Sequence, residues 1–391
     1  MQYDFDKVVD RRGTGSLKYD FAKRYQMPED LLPLWVADMD FTVAEPITKA
    51  LQAVVDHGIY GYSEVDESYA EVVCHWYSSR FGWEASPRWL VKTPGIVFAI
   101  AMAVRAFTEV GDGVLIQEPV YYPFRSTIEA NQREVIVNEL VLRDGRYEMN
   151  FEQLEELLAS GRVKLLLLCS PHNPVSRVWT IEELQRLGEL CLRYKVPVLS
   201  DEIHSDFVLG DQPHYVLTKA VPALHNQAII CTAPSKTFNL AGLQVSNIFI
   251  ADQQLRRRFR QEMHAAGYSQ LNTLGLAAAK AAYSEGQEWL EQLLEYLKGN
   301  IEFVRSFLVQ RLPQAKLIEP QGTYLLWLDL RAYGDSDTVD RHIVQEAKLW
   351  LDRGEMFGAC GAGFQRINVA CPRSILAEAM ERISTLASRG K

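Results

Sequence analysis

Ala233-Pro-Ser-Lys-Thr-Phe-Asn-Leu-Ala-Gly-Leu243 is the stretch on which the reading of this chain turns. On either side stand short apolar runs, Gln227-Ala-Ile-Ile-Cys-Thr232 and Val245-Ser-Asn-Ile-Phe-Ile250, each with the length and β-branched content of a buried strand. Lys236 is thereby placed in a loop at the mouth of a sheet. Alone, such a lysine is an ordinary solvated turn residue, so its meaning depends on what the rest of the chain brings to it.

Upstream, strand and helix patterns alternate. The uniformly apolar run Ile96 to Phe107 predicts a buried helix, and Gly113 to Gln117, Glu134 to Leu142, Val163 to Cys169 and Val196 to Asp201 predict strands, with helices after Tyr122, over Phe151 to Ser160 and over Ile181 to Tyr194. Such alternation argues for an α/β fold, a mostly parallel sheet with helices on both faces. Before it, Thr42 is the expected cap of a helix over Val43 to His57, and a second helix runs from Asp66 to Phe81. Beyond Asp252 long helices are expected over Gln253 to His264, Ser269 to Ala282 and Gly286 to Leu312, followed by a smaller α/β unit with a Gly-rich loop, Gly358 to Gly363. Three regions follow from these shifts: an arm over residues 1–45 that packs on the C-terminal lobe, a large domain over 46–290 and a small C-terminal domain over 291–391.

Length and composition narrow the function. A chain of 391 residues with 48% apolar content buries a large core. Its net charge of −9 with mixed signs gives no attraction to nucleic acid or anionic lipid. The start lacks a basic and apolar leader, and the run Leu165 to Cys169 is too short to cross a bilayer, so a cytoplasmic protein with no membrane partner is expected. Six scattered cysteines without a Cys-x-x-Cys pair point to reduced thiols, and the histidines form no metal-ligand pattern, so no metal is expected.

In open α/β sheets, sites form beyond the carboxyl ends of strands. There stand Pro94-Gly95-Ile96-Val97 at a helix start, suited to a phosphate; Tyr121 and Tyr122; Asn173; Asp201 and His204; and Lys236 with Ser235 before it. Singly each has an ordinary structural explanation. Together they offer an amine able to form a Schiff base, a carboxylate for a pyridinium nitrogen, an aromatic to stack, a donor for a phenolate oxygen and a phosphate cup, which is the set that pyridoxal 5'-phosphate requires.

With those residues the chain resembles the fold-type I pyridoxal phosphate enzymes of the class I/II aminotransferase superfamily, and more closely their C–S lyase (cystathionine β-lyase) branch. The resemblance is carried by Trp35-Val-Ala-Asp-Met-Asp-Phe41, Tyr60-Gly-Tyr62, Pro119-Val-Tyr-Tyr-Pro-Phe124, Asp201-Glu-Ile-His-Ser-Asp206, the lysine stretch and Arg366-Ile-Asn-Val-Ala-Cys-Pro-Arg373. It implies an aminotransferase-like fold with a seven-stranded sheet. It also implies that Lys236 bonds the cofactor, Asp201 pairs with its ring nitrogen, Tyr121 stacks on the ring and Asn173 reaches O3′, with His204 beside it. By the same resemblance Gly95, Ile96, Val97 and Ser235 hold the phosphate, helped by Tyr62 from the partner subunit of a homodimer. Arg366, with Ala37 and Asn173, binds the substrate, and Tyr122 assists proton transfer. Two positions depart from the ordinary aminotransferase pattern: Gln244 stands where a phosphate-binding arginine is usual, and His204 where a tyrosine is usual. Both suit a lyase performing α,β-elimination on an amino-acid substrate. An aminotransferase of the same fold and a regulatory binding protein remain the alternatives.

Overall fold

The computed structural model describes residues 2–388. Seven strands make the central sheet: β1 (Leu90–Thr93), β2 (Gly113–Ile116), β3 (Glu134–Val137), β4 (Val163–Cys169), β5 (Val198–Asp201), β6 (Ala228–Thr232) and β7 (Ser246–Ile250). Their order is β1-β7-β6-β5-β4-β2-β3, and every pairing is parallel except the two that β7 makes with its neighbours.

Period-two side-chain alternation explains why these runs are apolar throughout. Val114, Ile116, Leu165, Leu167, Ile229, Cys231, Ile248 and Ile250 face one apolar layer, shared with the helix Ile96–Phe107 and with Phe259 and Met263. Leu115, Leu166, Leu168, Ala228, Ile230 and Phe249 face the opposite layer, built from the other helices. The sheet is thus buried on both sides, and only its ends are free to carry polar groups.

A second sheet of four antiparallel strands follows: β8 (Lys316–Leu317), β9 (Leu325–Asp329), β10 (Asp352–Arg353) and β11 (Phe364–Asn368), in the order β8-β9-β11-β10. Between the sheets runs a 25-residue helix, Gln287–Arg311. Its first turns carry Trp289, which packs near Phe238 (ring centroids 6.4 Å apart) and donates to the Thr42 carbonyl at 3.2 Å. Further along, Asn300 donates to the carbonyls of Val369 and Cys371 at 2.8 and 2.9 Å, just beyond β11. The segment before the first helix pairs Leu32 and Pro33 in parallel with Leu349 and Trp350.

Several expected elements differ in detail. The first helix is Glu45–His57, begun by Ala44 and Pro46 rather than by a Thr42 cap; proline at the first turn replaces the side-chain cap because it carries no N–H to satisfy. The run Glu134 to Leu142 is not one strand. Only Glu134–Val137 joins the sheet, and Val141–Arg143 turns back on Arg146–Glu148 as a hairpin. The helix expected from Ser269 starts at Thr273, where Asn272 accepts from the Gly275 amide at 2.6 Å. The Gly-rich loop is a packing device: its Gly361 lies against Gly354, and a Cβ at either would overlap the other's carbonyl. No helix among the described residues is long and apolar enough to cross a membrane.

Candidate active site

The strand ends converge. Asp201 closes β5, Lys236 lies in the single turn Pro234–Thr237 after β6, Gly95 links β1 to its helix, Tyr121 follows β2 and Asn173 follows β4. The Tyr121 amide donates to the Asn173 carbonyl at 3.0 Å, tying two of these loops together. A cavity of about 310 Å³ lies among them, lined by Ala37, Gly95, Ile96, Val97, Tyr121, Asn173, Asp201, His204, Ser235 and Lys236. Ten of the residues singled out in the sequence therefore share one space. Pro94, Cys169, Ile203, Ala241, Val245 and Gln244 complete the lining. A larger groove of about 550 Å³ between Glu64, Arg88, Lys92 and Arg260 offers no comparable chemistry, since Lys92 and Glu64 pair with each other.

Three expected residues stand outside that lining. Arg366 lies behind Asn173 and donates to its Oδ1 at 3.1 Å. Tyr122 is half-buried next to Tyr121, ring centroids 5.5 Å apart, and close enough to Arg366 and Asp352 to feel both charges. Tyr62 is 98% exposed and lines a surface groove with Tyr60, Gly61 and Ser63.

The electrostatics follow from burial. Lys236 Nζ donates to the Ala37 carbonyl at 2.7 Å. Desolvation lowers this amine to about 8; Asp38 and Asp201 oppose the shift and Arg366 reinforces it. Asp201 is buried, accepts from the Ile203 amide at 3.2 Å, and makes no ion pair among the described residues. Its carboxyl is raised from 3.8 to about 7, chiefly by burial. Burial also pushes the His204 imidazole well below its ordinary value, with Lys236 and Arg366 adding to the effect, so the ring is neutral and its Nδ1 has no partner. The hydroxyls of Tyr121 and Tyr122 are both raised by burial and remain protonated.

Arg366 is held from several sides: Nη2 donates to the Trp35 carbonyl at 2.8 Å and pairs with Asp352 Oδ2, Nη1 reaches Asn173, and the guanidinium sits over Phe357 at 4.9 Å. Its buried Nε has no partner. Asp352 was not singled out in the sequence, because a lone aspartate in a two-residue strand has no motif; its pairing with Arg366 comes from the β10–β11 register. Tyr324, at the edge of β9, donates to the same Ala37 carbonyl as Lys236, at 2.9 Å.

These residues fit a phosphorylated pyridine aldehyde. The buried Asp201 carboxylate lacks the cation its burial calls for, and His204 Nδ1 lacks a partner. At the helix start the first-turn amides have no intrahelical acceptor, and a Cβ at Gly95 would meet no atom within 4 Å, so that end opens onto free space. A carboxylate and a lysine at the ends of adjacent strands of the doubly covered sheet, with an arginine from the second sheet behind them, define an α/β enzyme that works on amino acids through a carbonyl cofactor.

Comparison with known proteins gives the family. The chain belongs to the Aminotransferase class I and II family, whose profile matches residues 29–383. It is 42% identical over 386 residues to cystathionine beta-lyase PatB of Bacillus subtilis, an alignment covering 98% of this chain and all of the relative. Protein MalY of Escherichia coli is 34% identical, with 96% of each chain covered. Among solved structures, cystalysin from Treponema denticola, which contains a pyridoxal 5'-phosphate cofactor, superposes with a TM-score of 0.96 at 37% identity, covering 100% of both chains.

Proposed function

We infer that this chain is a pyridoxal 5'-phosphate-dependent C–S lyase that converts L-cystathionine or a related S-substituted cysteine into pyruvate, ammonia and a thiol by α,β-elimination. The observation that carries the reading is the convergence of a half-buried lysine and a buried, unpaired carboxylate on one cavity, with Arg366 fixed behind it. The full-length likeness to a cystathionine beta-lyase supports the lyase reading over transamination.

Pyridoxal phosphate supplies, when bound, an aldehyde that takes up amines and an electron-poor ring that stabilises charge at the substrate Cα. Asp201 would hold the ring nitrogen protonated, Tyr121 would stack on the ring, Asn173 and His204 would lie near O3′, and Gly95, Ile96, Val97 and Ser235 would hold the phosphate. Lys236 would carry the covalent attachment and, once displaced by substrate, take the Cα proton. An amine lowered to about 8 keeps a neutral fraction of about one fifth near physiological pH, far more than an ordinary lysine, and that fraction can act as a base. Arg366, oriented by its ion pair with Asp352, would take the substrate carboxylate. Tyr122, protonated and next to Arg366, would give a proton to the departing thiolate.

We further propose a homodimer in which Tyr62 reaches the partner's phosphate site. Its full exposure, beside exposed Tyr60, Ile59 and Val55, supports this reading. Division into an arm (1–45), a large domain (46–290) and a small domain (291–391) is proposed with it. Six free cysteines, five of them buried, support a reducing compartment such as the cytoplasm.

Incubation with cystathionine and no keto acid tests the function. Stoichiometric pyruvate, ammonia and thiol are expected; turnover that begins only when a keto-acid acceptor is added would make the chain an aminotransferase.

A further inference from the structure

The segment Trp35–Phe41 crosses the site as a strap whose carbonyls are shared by both halves of the machinery. Arg366 takes the Trp35 carbonyl, and Asn368 takes those of Val36 and Asp38 at 2.7 and 2.6 Å. Asn239, three residues after the lysine, clamps the main chain of Met39 and the Phe41 carbonyl, each at 3.0 Å. Between them the Ala37 carbonyl accepts from both Lys236 and Tyr324.

The strap's acidic side chains are anchored by the N-terminal arm. Lys18 Nζ, with no exposed surface, lies 2.7 Å from Asp40 Oδ2 and 3.7 Å from Asp38. Arg11 adds contacts to Asp38 at 2.6 Å and to Asp40 at 2.7 Å. A fully buried ion pair contributes little net stability, because desolvation of both charges offsets their attraction; what it does fix is geometry.

We propose that Lys18 is a positioning residue for Lys236: its buried ion pair with Asp40 holds the strap so that the Ala37 carbonyl and the Asp38 carboxylate face the lysine amine. The proposal rests on the role assigned above to Lys236. The charged groups acting on that amine are Asp38, Asp201 and Arg366, with neutral His204, the Tyr324 hydroxyl on the same Ala37 carbonyl and Tyr121 in the same cavity lining. The Ala37 carbonyl and Asp38 both favour its protonated form. Loosening the strap withdraws these two and leaves burial and Arg366 opposed by Asp201 alone, so the amine should lose its proton at lower pH.

The test is competitive chemical labelling of Lys236 against pH in the full chain freed of cofactor, read by mass spectrometry, for the wild type and Lys18→Met. The expected result is a labelling profile displaced to lower pH, with Lys236 reacting at least about threefold faster near pH 7, equivalent to about half a pH unit. In the cofactor-loaded enzyme kcat should fall while KM stays near its wild-type value. A folded Lys18→Met chain whose Lys236 labels at the wild-type rate at every pH overturns the proposal. Should that variant fail to unfold cooperatively, Asp40→Asn is put to the same criterion. Lys18→Met/Asp40→Asn, which leaves neither partner charged, decides the matter if both single variants fail. Labelling does not depend on turnover, so a wild type that failed to cleave cystathionine would sink the functional reading and leave this comparison standing.

Discussion

Replacing Asp201 by asparagine in the cofactor-free chain should stabilise it, and by an amount that depends on pH. The carboxyl is raised by burial from 3.8 to about 7. Because the folded value lies above the unfolded one, the folded state prefers the protonated acid; its stability is complete below pH 3.8 and is lost as pH rises through 7. The whole difference, roughly three pH units at 1.36 kcal/mol each, comes to about 4 kcal/mol. Of this, the linkage relation places about 2.5 kcal/mol between pH 5 and pH 8 for the wild type and none for the asparagine variant, whose side chain does not titrate in that range. Urea unfolding of both cofactor-free proteins at pH 5, 6.5 and 8 measures this directly. The stability advantage of Asp201→Asn should widen steadily with pH by that margin. With cofactor bound the order should reverse, since the carboxylate then has a cationic partner. A gap that is constant with pH, or that narrows, would refute the account of Asp201 as a buried acid waiting for a base.

Other expectations are simpler. Arg366→Lys loses the planar fork and about one charged hydrogen bond to substrate, worth about 2 kcal/mol, so KM should rise about 30-fold with a smaller effect on kcat; an unchanged KM in steady-state assays would exclude Arg366 as the carboxylate site. Tyr122→Phe keeps the ring and removes the proton, so kcat for cystathionine should fall about 100-fold with KM little altered, and a variant of full activity would remove Tyr122 from the mechanism. Tyr62→Phe should weaken cofactor binding by about tenfold, the loss of one hydrogen bond to a charged group, although Tyr62 lies outside its own chain's cavity; titration of cofactor fluorescence reads the affinity, and unchanged binding by a chain that sediments as a dimer would count against a shared site.

The sequence made the site more legible than the element boundaries, for a physical reason. A doubly covered sheet must bury nearly every strand residue, so polar side chains at the end of an apolar run stand out; Asp201, Asn173 and Lys236 were found that way, and the cavity gathers them. Direction is different. Nothing in Val245 to Ile250 distinguishes β7, which runs antiparallel, from its parallel neighbours, because a buried strand reads the same either way. Apolar residues on both sides of Asn138-Glu139 likewise hid the break there, where the Asn138 side chain joins Gln117 and Gln153 in a local polar network. Buried charges were the hardest to see. Lys18, Asp40 and Asp352 look like surface residues in the chain, and only tertiary pairing shows that they are inside.

The helix Gln287–Arg311 acts as a gauge block for the reaction. Its 25 residues span about 37 Å at 1.5 Å each. One end is seated through Trp289 beside the turn that carries Lys236, and its middle is bolted through Asn300 to the chain leaving the strand of Arg366. The separation between the proton-carrying amine and the carboxylate fork is therefore calibrated by a rod that touches neither substrate end. Inserting one residue between Trp289 and Asn300 would translate the far end by 1.5 Å and rotate it by about 100°, mismatching two intact half-sites without altering a single lining residue.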